Sequence, residues 1–144
     1  MKATDVIARD HRAAEELFDA YKSAGDEERR DLEKKLFKAL TVHEMMEDTH
    51  FYPVLKEVGA DEPAVQQILD EQTKLKMKVM EKGALEVVTG EHEDRITAMM
   101  EDVLAHAKEE EDVIFPLAEQ LLGAAKLEEL GEKMEPDSAV AKSE

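Results

Sequence analysis

Two stretches of the chain carry the same residue types in the same order. Residues 43–53 read HEMMEDTHFYP and residues 106–116 read HAKEEEDVIFP. At an offset of 63 residues, His43 matches His106, Glu47 matches Glu110, Asp48 matches Glu111, Tyr52 matches Phe115 and Pro53 matches Pro116. Agreement at five positions, a proline included, marks an internal repeat. An imidazole and a carboxylate four residues apart are neighbours on one helix face, and together they suit a metal cation. The alternative is an ion pair between a protonated His and its Glu, with a purely structural role. For one isolated pair that alternative is the commoner outcome. Two matched pairs at one level, joined by a third imidazole from His11, favour a cation.

The elements that must position these groups are helices. The 144 residues suit one domain with a proper core. Aromatics are scarce, Cys is absent, and no segment alternates apolar and polar residues as a strand would. Four apolar seams recur at helical spacing. The first runs from an N-cap expected at Thr4 through Ile7, Ala14, Phe18 and Tyr21 to a break at Gly25. The second carries Leu32, Leu36, Leu40, Met46 and Val54. The third opens at Asp61 with Pro63 in its first turn, and its stripe is Val65, Ile68, Leu75 and Val79. The fourth, capped at Thr89 beside Gly90, carries Ile96, Met99, Val103, Val113 and Leu117. A short fifth helix is expected over residues 125–130, after Gly123. Short connections force neighbours antiparallel. The expected fold is therefore all-α: an up-down-up-down four-helix bundle over residues 1–134, with a polar, flexible tail over residues 135–144.

Each seam is interrupted by polar groups: His11 in the first, His43 and Glu47 in the second, Gln72 in the third, His106 and Glu110 in the fourth. Counted from Gly25, His11 lies 14 residues back and His43 18 forward. From Gly90, Gln72 lies 18 back and His106 16 forward. At about 1.5 Å per residue these distances agree to within roughly a turn. The groups meet at one level of the bundle, where burial would be costly without a compensating charge.

The totals exclude other chemistry. With 36 acidic residues against 19 basic, the formal charge is −17, which repels a phosphate backbone and argues against a nucleic-acid partner. Without Cys there are no disulfides, thiolate metal sites or Cys nucleophiles. No signal-peptide pattern and no membrane span is read, so the expected setting is the cytoplasm.

Asp10-His11-Arg12, His43-x3-Glu47 leading into Phe51-Tyr52-Pro53, and His106-x3-Glu110 leading into Phe115-Pro116 resemble the hemerythrin-like, or HHE cation-binding, family, over residues 4–130. The resemblance implies a four-helix bundle around a non-haem centre of two irons. Glu47 and Glu110 would bridge the metals, and His11, His43 and His106 would be terminal ligands. It further implies that dioxygen, nitric oxide or peroxide binds at an open coordination position. The implied role is binding, sensing or iron handling; redox turnover is the enzymatic alternative. The third helix departs from the family pattern, with Glu71-Gln72 where a His is usual. Gln72 can offer a carbonyl oxygen, a weaker ligand, which leaves a single ion, or manganese or zinc, as alternatives, along with a bundle whose site has decayed. Glu71 and Glu44 are secondary carboxylate candidates, and His50, two turns beyond His43, is a spare imidazole. His92 is read as solvated and the eight Met residues as core filler.

Overall fold

The computed structural model describes residues 1–89 and 92–143, with side chains outside residues 79–95. Helix α1 spans Ala3–Ser23 and α2 spans Asp26–Met46. A π-helical turn, Glu47–Phe51, leads from α2 into α3, Tyr52–Val58. Then come α4, Pro63–Thr89, and α5, His92–Glu109. A second π turn, Glu110–Ile114, leads into α6, Phe115–Met134, followed by a 3₁₀ turn, Glu135–Asp137, and α7, Ala139–Lys142. Counting α2–α3 and α5–α6 as single rods, the chain forms the expected all-α four-helix bundle. α1 packs on α2 and α6, and α4 packs on α5. No helix among the described residues is long and apolar enough to cross a membrane.

The π turns are the feature that positions the site. The N–H of Tyr52 donates to the carbonyl of Glu47, and the N–H of Phe115 donates to that of Glu110. Both bonds span five residues, one more than in an α-helix. Each is followed by Pro53 or Pro116, which has no N–H to offer an α-helical ladder. The wider turn has a consequence for register. At 3.6 residues per turn, positions recurring every four drift around a helix. Here His43, Glu47, Phe51 and Leu55 stay inward, as do Glu110, Ile114 and Ala118.

Several expectations are corrected by the structure, the first of them by this register. Val113, expected in the core, is 40% exposed, and Ile114 takes its place. Leu75 is also exposed; the inward line of α4 is Val65, Leu69, Gln72 and Lys76. Thr4 is not the cap of α1. Lys2 holds that position, its backbone N–H donating to the Asp5 carboxylate at 3.0 Å, while Thr4 is buried inside the helix. The expected roles of Val79, the Thr89–Gly90 cap and His92 fall outside the described side chains.

Two apolar clusters flank the polar level. Phe18, Tyr21, Leu36, Ile96, Met99 and Met100 form one. The other gathers Ile7, Met46, Phe51, Tyr52, Leu55, Leu69, Ile114 and the later part of α6. The helix after Gly123 is longer than expected and runs on to Met134. Gly123 makes the bend with φ of 77°, a left-handed conformation that favours glycine. Gly131 is needed for a different reason: a Cβ there would stand 2.1 Å from the Met1 carbonyl oxygen. The end of α6 thus lies directly against the start of α1. Beyond it, Ser138 and Ala139 are buried, and α7 packs on α1 and α2.

Candidate metal centre

Helices α1, α2 and α5, with the two π turns, bring His11, His43, Glu47, His106 and Glu110 around one small cavity of about 30 Å³. Both carboxylates are 1% exposed, and His11 and His43 are nearly as buried. Nε2 of His11 lies 3.1 Å from Oε1 of Glu110, and Nε2 of His43 lies 3.0 Å from Oε1 of Glu47. The two imidazole centroids are 5.0 Å apart. His11, His43 and Glu110 each offer a ligand atom within 4.8 Å of the others, and His43, Glu44 and Glu47 form a second such group.

The outer nitrogens of the rings decide what the inner ones can do. Nδ1 of His43 lies 2.9 Å from Asp10. Burial would raise Asp10, but hydrogen bonds from His43 and from the N–H groups of Ala139 and Val140 outweigh it and hold the carboxyl below its ordinary range. An ionised Asp10 can only accept, so Nδ1 of His43 carries a proton and Nε2 is the ring atom turned towards Glu47. Nδ1 of His11 faces Glu111 at 3.2 Å in the same way, and Arg12 holds Glu111 from its other side at 3.1 Å. In both cases a ring nitrogen faces a buried carboxylate oxygen across about 3 Å, a pairing of donor types that a cation between them would suit. A carboxylate behind the ring is the usual support of a metal-binding imidazole.

The remaining donors point the same way. Both nitrogens of His106 are buried without a hydrogen-bond partner among the described residues, as are Nε2 of His43, Oε2 of Glu47 and Oε1 of Gln72. Burial pushes His106 down, so its ring is neutral and free to ligate. Burial, then the neighbouring charge of Glu110, pushes Glu47 well above the carboxylate range. For Glu110, burial acts upward, but hydrogen bonds with Glu47 and His11 and the charge of His11 and His43 hold it low. The two acids act as one coupled pair with a shared proton. Tyr52 donates to Oε2 of Glu110 at 2.5 Å, and burial followed by the charge of Glu110 keeps its phenol protonated. Unpartnered polar atoms, a neutral His106 and a pair of buried acids fit a cation.

The secondary candidates separate. Glu44 lines the cavity edge. Gln72 is 3% exposed and donates to Glu109 at 3.2 Å, with its carbonyl oxygen inward. Glu71 is exposed and meets Gln67. His50 lies away from the cavity and pairs with Asp137 at 2.7 Å. Sequence reasoning missed Lys76, although it stands one turn beyond Gln72 on the same face. It is 8% exposed, and its ammonium lies 2.6 Å from Glu44, 2.9 Å from Asp48 and 3.9 Å from Glu47. Burial pushes Lys76 down to about 8, against the pull of Glu110. The supporting role of Asp10 was also missed, although it directly precedes His11.

A four-helix bundle with inward His and Glu pairs from a repeated helix defines a class of cation-binding proteins. The chain belongs to the hemerythrin HHE cation-binding domain family, whose profile matches residues 2–118. A protein named DNA nickase from Nostoc sp. is 25% identical over 130 residues, covering 90% of this chain. The chain spans 37% of that relative's length. No solved structure matches.

Proposed function

We infer that the protein is a non-haem iron protein whose ligands are His11, His43, Glu47, His106 and Glu110, and that it binds a small molecule such as dioxygen, nitric oxide or peroxide. The observation that carries this reading is the pair of imidazole Nε2 atoms set about 3 Å from buried carboxylates, each ring held from behind by Asp10 or Glu111. Iron held there would supply a coordination position open to such a ligand. Of the alternatives, manganese and zinc accept the same donors. Iron is favoured by the family and by the mixture of imidazole and carboxylate.

The residues around the centre hold protons and exclude water. Tyr52 offers its hydroxyl to Glu110. The apolar clusters on either side close the ends of the bundle. A groove of about 490 Å³, lined by Glu44, Tyr52 and Lys76 among others, gives a small ligand an approach from the side. The described residues around the centre act as ligands and their supports, which favours binding, sensing or iron handling, with redox turnover as the alternative. The relative's name denotes action on DNA; the charge of −17 argues against that substrate here.

Anaerobic reconstitution with iron(II), followed by metal analysis and absorption spectroscopy after oxidation, tests the proposal. Bound iron with ligand-to-metal absorption in the near ultraviolet is expected. Protein that remains metal-free after reconstitution would refute it.

A further inference from the structure

We propose that Lys76 is a built-in cation standing in the second half of the centre, so that the protein holds one metal ion rather than two. The inference rests on the metal-binding reading above and concerns how many ions these residues accept.

The internal repeat makes the argument. It equates Glu47 with Glu110 and Asp48 with Glu111. On one side, a residue from a neighbouring helix reaches both members of the acidic pair: His11 lies 3.1 Å from Glu110 and 3.2 Å from Glu111. On the other side, the group from a neighbouring helix that reaches both equivalents is Lys76, 3.9 Å from Glu47 and 2.9 Å from Asp48. Lys76 therefore stands where the repeat places a counterpart of His11. An imidazole there would share an ion with Glu47. An ammonium has no lone pair and brings the positive charge itself.

The surroundings are built for that ammonium. Glu44 approaches it at 2.6 Å, and the Tyr52 ring lies beneath it at 4.9 Å. A buried lysine so enclosed leaves a second metal ion little to bind. Glu44, Asp48 and Glu47 already face Nζ, and from α4 only the amide oxygen of Gln72 points inward without a partner among the described residues. A divalent ion placed among these groups would also sit against a like charge. His11, His43 and Glu110 lie within reach of one shared ion, with His106 on the same cavity, so a single metal draws on all three imidazoles.

The test is to count iron in the full chain after anaerobic loading with excess iron(II), then to record the electron paramagnetic resonance spectrum of the oxidised sample. One iron per chain with the signal of an isolated high-spin ferric ion is expected. Two irons per chain, with that signal quenched by coupling between the ions, would overturn the inference while leaving the iron-protein reading intact. No iron at all would overturn that reading and this inference together. Lys76→His should raise the count from one to two and quench the isolated signal; Lys76→Glu serves the same purpose where the ring is not accommodated. Either folded variant remaining at one iron would show that the lysine is not what sets the number.

Discussion

Asp10 performs two tasks with one carboxylate, accepting from Nδ1 of His43 and from the N–H groups of Ala139 and Val140. Asp10→Asn keeps the shape and removes the charge. Loss of such a support behind a ligating ring typically weakens metal binding about 10–100-fold, and calorimetric titration with iron(II) should show a loss of that size. The same residue sets a pH dependence. Its folded pKa is depressed below the ordinary 3.8, so its stabilising contribution is complete above about pH 4 and disappears as pH falls through the folded value. The stability gap between wild type and Asp10→Asn, measured by urea unfolding, should shrink below pH 4 and hold steady from there to neutrality. Tyr52→Phe isolates another buried contact. It leaves Oε2 of Glu110 without its donor and should cost about 1–3 kcal/mol in the metal-free protein by the same assay. The cavity-lining His and Glu residues were legible in the sequence because they interrupt apolar seams at matched heights. Asp10 and Lys76 were not, because charged residues are ordinarily read as solvated and nothing local marks these two as buried.

The helices themselves were readable from apolar spacing, but that spacing assumes 3.6 residues per turn throughout. The two π turns break the assumption just beyond Glu47 and Glu110, and Val113 was misplaced because it lies within the second of them; Leu75 was misplaced for a separate reason, a stripe read one residue out of phase. Pro53 and Pro116 were visible as helix-disturbing residues, whereas the extra residue each turn accommodates has no sequence signature of its own. Inserting an alanine between Asp112 and Val113, exposed residues inside the second π turn, tests the role of that wider register. Residues up to Glu110 would keep their positions, while Ile114 and Ala118, pushed one residue further along a turn already widened, would rotate off the core by about 100°. Removing an isoleucine from the interior costs about 1.5–3 kcal/mol, so the melting temperature should fall by roughly 5–10 °C. An unchanged melting curve would mean that the turn absorbs a further residue and that its register is not what holds the two rows inward.

At the scale of the whole bundle, the same groups that suit an ion are a burden without one. Glu47 and Glu110 are 1% exposed, among donors left unpaired, in a molecule whose net charge is already −17. A metal that binds the folded chain and not the unfolded one stabilises it by mass action, about 2.7 kcal/mol at a free concentration 100 times the dissociation constant. Wild-type protein should therefore melt higher with iron(II) than without, under anaerobic conditions. The double variant His43→Leu, Glu47→Leu replaces an inward pair with apolar side chains of similar reach. Replacing a buried charged pair whole by apolar side chains is often neutral or stabilising, and Asp10 keeps the N–H groups of Ala139 and Val140 when His43 is lost, so the metal-free variant should melt at or above the metal-free wild type. It should also lose the iron-dependent rise. Differential scanning calorimetry of both proteins, each with and without iron, compares the two states directly. A variant that melts well below wild type in the absence of metal would mean that the His and Glu residues serve the fold as ion pairs in their own right, and that the bundle does not depend on a cation to justify their burial.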